Sequence, residues 1–183
     1  METWNLRLAT LDDSDALRAL ISLSARGLNS EHYTPEQVES ILTYVYGVDT
    51  QLILDQTYFV VQDRDAFVGC GGWSRRKTLY GGDQHKADSP DNLLDPATEA
   101  ARIRAFFVHP ASARKGIGSA LMQACEDAAK AAGFHKLELM ATLTGEYLYA
   151  RFGFTPVEET DVVLPDGNVM KVRRMIKDIA LSE

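Results

Sequence analysis

The chain has 183 residues, of which 45% are hydrophobic and 25% are charged, and its formal net charge is −7 at pH 7. This length and composition predict one globular domain over residues 1–183. The acidic balance excludes a general nucleic-acid binder, which needs a basic surface to displace phosphate counterions. It is compatible with a cationic substrate such as an amine, although solubility alone explains it as well.

Nothing in the sequence indicates a membrane or secreted protein. No apolar stretch approaches the ~20 residues that span a bilayer, and the first residues lack the basic and apolar regions of a secretory signal. The two cysteines, Cys70 and Cys125, form neither a disulfide framework nor a zinc-ligand pattern. We therefore expect a cytoplasmic protein with reduced thiols, no membrane partner and no metal site.

The first part of the chain predicts one strand and two helices. Residues 5–9 alternate apolar and polar side chains, as a strand does. Capping residues at 12–14 precede an apolar stripe at helical spacing, which ends at Gly27. A second helix begins at residues 34–36, where a threonine precedes a proline, and ends at Gly47.

The middle of the chain predicts a β-hairpin followed by a long loop. The β-branched and aromatic residues at 57–62 and 66–74 indicate two strands, joined by a turn at 63–65. Residues 75–98 show no clear periodicity, and irregular segments of this length often have a function.

The last part of the chain alternates strands with helices. Residues 101–110 predict a strand, followed by a helix that ends at Gly133. A strand at 135–142, a short helix that ends at Gly153 and a hairpin around a turn at 165–167 complete the chain. The order β-α-α-β-β-β-α-β-α-β-β predicts an α/β fold with a mixed sheet and helices on both faces.

Two glycines stand at the start of the predicted helix in the segment ARKGIG. Backbone amides at a helix start lack intrahelical acceptors and bind anions, phosphates especially. Gly116 and Gly118 permit a tight turn and a close approach, and Arg114 and Lys115 add positive charge. A Walker loop needs GxxxxGK[ST], and the dinucleotide fingerprint needs a third glycine where Leu121 stands. The two glycines therefore indicate either another kind of phosphate-binding site or only a tight turn between a strand and a helix.

The segment FFVHPASARKGIGSALM, followed by LYARFGF, resembles the GNAT superfamily of N-acetyltransferases. The family signature is [Q/R]xxGx[G/A] between a central strand and a long helix, with a later tyrosine four residues before a Gly-Phe pair. The residues that match are Gly116, Gly118, Tyr149, Gly153 and Phe154. Ala113 stands where Gln or Arg is usual. The resemblance covers about residues 3–177 and implies the GNAT fold, in which the central strands splay apart.

The resemblance implies acetyl-CoA as the cofactor. In the family, the glycine loop binds the pyrophosphate through backbone amides, and the central strand pairs with the pantetheine arm. The residues that this assigns to the cofactor are Phe107, Val108, Ala113, Arg114, Lys115, Gly116, Ile117, Gly118 and Ser119. Thr142 stands where many family members carry an asparagine that contacts the cofactor.

The resemblance also makes Tyr149 the general acid that protonates the departing CoA thiolate. A thiol with a pKa of about 8.5 and a phenol with a pKa of about 10 can share a proton. Tyr147 is a nearby alternative, but it lies six residues before Gly153 and so does not have the spacing of the motif. Glu99, at the head of the central strand, is the predicted base, with Asp83 and His85 as alternatives. Taken singly, each of these three residues is more often a plain surface group.

The family builds its acceptor pocket from the first two helices, their connection and the hairpin edges. These positions correspond to His32, Tyr33, Trp73 and Tyr80, whose rings could equally pack on the core. The resemblance therefore predicts an N-acetyltransferase that moves acetyl directly from acetyl-CoA to a primary amine of a small molecule or peptide. The alternative is a non-catalytic acyl-CoA-binding sensor on the same fold. Dimers are common in the family, so a homodimer is the implied assembly.

Overall fold

A computed structural model describes residues 3–28, 30–86 and 91–179 of the chain. Its strands are β1 (Trp4–Leu8), β2 (Tyr58–Asp63), β3 (Ala66–Ser74), β4 (Ala101–Val108), β5 (Lys136–Thr142), β6 (Thr155–Val163) and β7 (Val169–Asp178). They form one sheet in the order β1-β2-β3-β4-β5-β7-β6. The β4–β5 pair is parallel and the other five pairs are antiparallel, which confirms the predicted mixed sheet.

The helices are α1 (Ser14–Leu28), α2 (Pro35–Tyr44), α3 (Thr50–Leu54), α4 (Ile117–Ala131) and α5 (Leu143–Arg151). The prediction that α2 continues to Gly47 was wrong, because α2 ends at Tyr44. The prediction also missed α3, which is only five residues long and too short to show a helical period. Asp49 caps α3 by accepting a hydrogen bond from the amide of Gln51 at 3.1 Å. In the described residues, no helix has the length and apolar character needed to cross a membrane.

Helices cover both faces of the sheet, as the element order predicted. Successive strand residues point to opposite faces, and Val60 and Val61 of β2 show this. Val60 is buried in a cluster with Leu17 of α1, whereas Val61 is buried in a cluster with Leu121 of α4. We call these two faces the α1 face and the α4 face.

A glycine of β3 allows the first residue of α4 to lie close to the sheet. A Cβ atom at Gly69 would lie 2.5 Å from Cγ2 of Ile117, the first residue of α4. Only glycine therefore leaves room for Ile117 at this point. Gly69 is paired with Val108, the last residue of β4, so the start of α4 lies beside the end of β4.

Strand β4 contains a bulge that changes which side chains face α4. Gly72 of β3 pairs with Arg104, and Cys70 pairs with Phe107, so β4 has one extra residue between these pairs. Ala105 lies in this bulge with a φ of 54°, and its carbonyl accepts a hydrogen bond from the Tyr58 hydroxyl at 2.9 Å. Bulges of this kind redirect the side chains that follow.

The two parallel strands separate soon after they meet. β4 and β5 pair only through Ala101 with Leu137 and Arg102 with Glu138. Beyond these two pairs the strands diverge, so residues 103–108 have no ladder partner on the β5 side. This is the splayed sheet that the resemblance implied.

Candidate active site

A cavity of ≈ 80 Å³ lies where β4 and β5 diverge. One side of it consists of β4 residues 103–107 and of β5 residues, and Tyr149 of α5 adds to this side. The rest of the lining comes from two loops, residues 45–47 and 79–82, together with residues of β7. The gap in the sheet is therefore closed by segments that are far apart in sequence.

Tyr149, the general acid that the resemblance implies, lines this cavity. Its ring packs edge-on against Phe106 and Phe154, with centroids 6.3 and 6.1 Å away. Burial raises the pKa of the Tyr149 hydroxyl well above its ordinary value. The hydroxyl is therefore protonated at neutral pH. Tyr147, on the same helix, is 73% exposed.

The β4 bulge brings Phe106 against Tyr149. In a regular strand Ile103 and Phe107, four residues apart, would share a face. Instead Ile103 packs in the core on the α4 face, whereas Phe107 is buried on the α1 face. The extra residue thus turns Phe106 toward α4 and α5, where its ring meets Tyr149.

The loop before α4 presents backbone amides at the open end of the diverging strands. Arg114 and Gly116 both have left-handed backbones, with φ of 63° and 81°. No side chain caps α4, and its first backbone hydrogen bond runs from the Ala120 amide to the Gly116 carbonyl at 3.0 Å. The amides of residues 117–119 thus have no intrahelical acceptor. A backbone that alternates between left-handed and right-handed conformations can bind a phosphate group, and so can a helix N-terminus.

The remaining residues assigned to the cofactor lie around this loop. Phe107 is buried edge-on against Tyr46 at 5.0 Å, and Val108 ends the strand that leads to the loop. The side chains of Arg114 and Lys115 are exposed, so they are free to approach an anion. Ile117 is buried under the helix. The residues from 107 to 119 therefore fit the donor that the resemblance implies, mainly through backbone atoms.

The three candidate bases are not among the residues that line the cavity. Glu99 precedes the residues at which β4 and β5 are still paired, so it lies at the closed end of the strands. Its carboxylate accepts a hydrogen bond from the Asp95 amide at 2.7 Å. Asp83 accepts hydrogen bonds from the amide and hydroxyl of Thr50 at 2.9 and 2.5 Å. His85 stacks on Tyr80, with ring centroids 4.8 Å apart.

The four predicted acceptor residues have different surroundings. Tyr80 lines the cavity. Tyr33 is buried, and its hydroxyl donates to the Lys171 carbonyl at 2.7 Å and accepts from the Leu143 amide at 3.1 Å. Trp73 is 2% exposed and packs on Phe134 in the core. His32 is exposed in the turn before α2. Of the four, the structure brings only Tyr80 to the cavity.

Tyr46 and Arg104 are among the cavity residues that sequence reasoning missed. Tyr46 follows α2, in a segment predicted as helix, and its ring contacts Phe107. Arg104 stands on β4 and makes a buried ion pair with Asp49, with Nη2 2.8 Å from Oδ2. The sequence did contain one indication of Arg104, because a charged residue is unusual in a strand that the resemblance places at the centre of the sheet.

Comparisons with known proteins agree with this geometry. The sequence profile of the family described as acetyltransferase (GNAT) domain matches residues 55–156. A solved structure described as a GCN5-related N-acetyltransferase from Rhodopseudomonas palustris is 19% identical, with a TM-score of 0.70 and coverage of 98% of both chains. Comparison with curated protein sequences gives no match.

Two further solved structures contain a form of coenzyme A. The PaiA N-acetyltransferase from Thermoplasma acidophilum, in complex with coenzyme A, is 15% identical with a TM-score of 0.66, over 97% of this chain and 100% of that chain. YncA from Salmonella typhimurium, described as an acetyltransferase with its cofactor acetyl-CoA, is 14% identical with a TM-score of 0.60. The match covers 98% of this chain and 95% of that chain. At these identities the three structures show a shared fold.

The family match spans more than half of the chain. It includes the loop before α4, and it also includes the β4 and β5 residues and Tyr149 that line the cavity. The chain belongs to the GNAT acetyltransferase family.

Proposed function

We propose that the chain transfers an acetyl group from acetyl-CoA directly to a primary amine of a small molecule or peptide. The observation that carries this proposal is the cavity between the diverging strands, with Tyr149 in its wall and the uncapped start of α4 beside the end of β4. The family membership supports acetyl transfer. The coenzyme A and acetyl-CoA in the two similar structures support the donor.

The loop before α4 would hold the donor through its backbone. When bound, acetyl-CoA supplies a thioester carbonyl that an amine can attack. The amides of residues 116–119 would bind the pyrophosphate, and the exposed Arg114 and Lys115 side chains would add positive charge. The free edge of β4 at Phe107 and Val108 would pair with the amide groups of the pantetheine arm, and a β4 amide would polarise the thioester oxygen.

Tyr149 would act as the general acid. Its raised pKa keeps the hydroxyl protonated through the physiological pH range. A CoA thiolate that forms in the same buried place also loses hydration, so its pKa rises as well. Proton donation from Tyr149 would give the free CoA thiol and move the negative charge to the Tyr149 oxygen, which would recover a proton when the attacking nitrogen loses its own.

The two cysteines support direct transfer rather than an acetylated enzyme. Cys70 and Cys125 are both free and buried. Burial raises the pKa of Cys70 to about 12 and raises the pKa of Cys125 as well. A thiol nucleophile reacts as its thiolate, so neither side chain is prepared to accept the acetyl group.

The positions of the candidate bases favour a weakly basic acceptor. Glu99, Asp83 and His85 lie outside the cavity lining, and an attacking amine must be neutral. An α-amino group with a pKa near 7.7 is about one-sixth neutral at pH 7, whereas a lysine amine is neutral in about 1 molecule in 2500. We therefore propose α-amines of small molecules or peptides as the first acceptors to examine.

The test is release of CoA thiol from acetyl-CoA across a panel of amines, with mass analysis of the products. The panel contains amino acids, dipeptides, a peptide with a blocked α-amine and a free lysine, and polyamines. We expect amine-dependent thiol release together with an N-acetylated product, highest for α-amines. Thiol release without an N-acetyl product would overturn the proposal.

The second candidate function is a non-catalytic acyl-CoA sensor, and the position of Glu99 at the closed end of the strands favours it. A sensor binds acetyl-CoA but releases no thiol with any amine or with candidate protein acceptors. Isothermal titration with acetyl-CoA beside the same amine panel separates the two functions.

We propose a homodimer as the assembly, formed through β6. This strand ends the sheet, pairs with β7 alone, and is exposed along nearly its whole length. An unpaired strand edge can pair with the same edge of a second copy. Sedimentation of the full chain tests this assembly, and a monomer at all concentrations would contradict it.

A further inference from the structure

Arg104 is a charged residue enclosed almost completely by protein. It is 2% exposed, as is its partner Asp49. Its Nη2 donates to Asp49 Oδ2 at 2.8 Å and to the Gly81 carbonyl at 2.6 Å, and its Nη1 donates to the Thr78 carbonyl at 3.2 Å. One side chain on β4 thus binds α3's capping residue and two points of the long loop.

Stability is a poor explanation for this arrangement. Removing two charges from water offsets much of what their attraction contributes, so buried ion pairs are weak stabilisers. The Arg104 Nε is also buried, without a hydrogen-bond partner in the part of the chain that the structure describes. The clearest result of the arrangement is geometric, because the guanidinium fixes the loop relative to β4.

The two ends of this loop have anchors of their own. On one side, Arg76 pairs with Asp55 at 2.7 Å and donates to the Asp91 carbonyl at 3.2 Å. On the other side, the Gly82 amide donates to the Val45 carbonyl at 2.7 Å. Arg104 binds the carbonyls of Thr78 and Gly81, and so holds the stretch between these anchors, which carries Leu79 and Tyr80.

This stretch is part of the cavity wall, because residues 79–82 line the cavity together with β4 residues 103–107. We propose that Arg104 is a positioning residue for the acceptor amine, which it serves by fastening residues 78–82 to the strand that would carry the donor. The inference rests on the proposed function, since the acceptor would occupy the space between this wall and β4. Arg104 itself bonds to protein groups and does not act on the reacting atoms.

The test compares Arg104→Lys with Arg76→Lys. A lysine at 104 keeps a cation beside Asp49 but has one nitrogen in place of the two that reach the loop carbonyls. Arg76→Lys makes the same exchange in an arginine–aspartate pair that holds the same loop outside the cavity. Both variants are measured by hydrogen exchange and by steady-state kinetics. If Arg104→Lys does not fold, the double variant Arg104→Met with Asp49→Asn replaces it, because that change removes both buried charges together.

We expect Arg104→Lys to speed amide exchange in residues 79–82 and to raise the acceptor KM roughly tenfold, the scale of one or two lost hydrogen bonds. The acetyl-CoA KM and kcat should stay within about twofold. Arg76→Lys should leave the acceptor KM unchanged.

Unchanged exchange at residues 79–82 would overturn the proposal, because Arg104 would not hold the loop. Faster exchange with an unchanged acceptor KM would also overturn it, because the loop would not be the acceptor wall. A parallel rise in both KM values would show a general structural role instead. If the wild-type protein acetylates no amine, the proposed function fails and the acceptor role fails with it, while exchange still shows whether Arg104 fastens the loop.

Discussion

The two sides of the cavity are assembled in different ways. The side that we propose for the donor comes from one continuous stretch, residues 101–151, which includes the β4 and β5 residues and Tyr149 that line the cavity and the loop before α4 that lies beside it. The side that we propose for the acceptor combines residues 45–47, residues 79–82 and residues of β7, which meet only in the folded chain. A local motif can therefore specify the donor side, whereas the acceptor side depends on tertiary contacts such as the Arg104–Asp49 ion pair.

The largest expected effect is on the donor side, from Tyr149→Phe. Loss of a positioned proton donor should lower kcat by roughly 10²–10⁴ while the affinity for acetyl-CoA changes little. Thiol-release kinetics and calorimetric titration measure the two quantities. The matched control is Tyr147→Phe, an exposed tyrosine on the same helix, which should leave kcat unchanged. Equal activity of the two variants would remove Tyr149 from the chemistry.

Gly116→Ala should weaken donor binding. Gly116 has a φ of 81° with nothing within 4 Å of an added Cβ, so alanine meets backbone strain of about 1–2 kcal/mol but no clash. Relief of that strain moves the loop amides, and we expect the Kd for CoA to rise about tenfold. Gly167→Ala meets the same strain, at φ 87°, in the distant β6–β7 turn. The Kd of Gly167→Ala for CoA should equal that of the wild type. A similar loss of affinity in both variants would contradict the proposal that the loop before α4 binds the donor.

Tyr58→Phe tests the junction of the two sides, because the Tyr58 hydroxyl holds the bulge carbonyl of Ala105. Its loss should lower the free energy of unfolding by about 1–2 kcal/mol and lower kcat roughly threefold, as Phe106 shifts against Tyr149. Thr57→Val removes a neighbouring hydroxyl bond, to the Leu52 carbonyl at 3.3 Å, away from the bulge. Denaturant unfolding and kinetics should show that this control changes stability only.

The smallest effect concerns pH and the acceptor side. Burial lowers the pKa of His85, and the nearby Arg104 cation lowers it further by a smaller amount. The hydrogen bond from His85 to the Tyr44 carbonyl raises the pKa, but it does not offset the effect of burial. As pH falls below about 6.5, the unfolded chain binds this proton first, so the folded protein loses stability. We expect Tm to fall about 1–2 °C more in wild type than in His85→Gln between pH 7.5 and 5.5. Identical pH profiles would contradict this assignment.

Most of the donor side could be predicted because its signals are local. The two glycines before an amphipathic helix predicted an anion-binding helix start, and the spacing of Tyr149 from Gly153 identified the tyrosine that lies in the cavity. The positions of the seven strands along the chain also followed from the sequence, since alternation and turn residues mark each strand.

The rest depended on contacts that no local pattern encodes. Ala105 adopts a left-handed backbone without being glycine, and this one residue decides that Phe106 faces Tyr149. Glu99 was selected for its place at the head of β4, but the strands are still paired there and open only beyond Arg102. The importance of Arg104 becomes visible only when residues 49, 78 and 81 are brought around it.

The central claim is that the donor binds where β4 and β5 diverge, and hydrogen exchange with and without acetyl-CoA tests it most directly. We predict that acetyl-CoA protects the amides of residues 114–119 and of β4 beyond Arg102, while residues 79–82 exchange at the same rate with and without it. Protection confined to other segments, or none at residues 114–119 at saturating acetyl-CoA, would contradict the account.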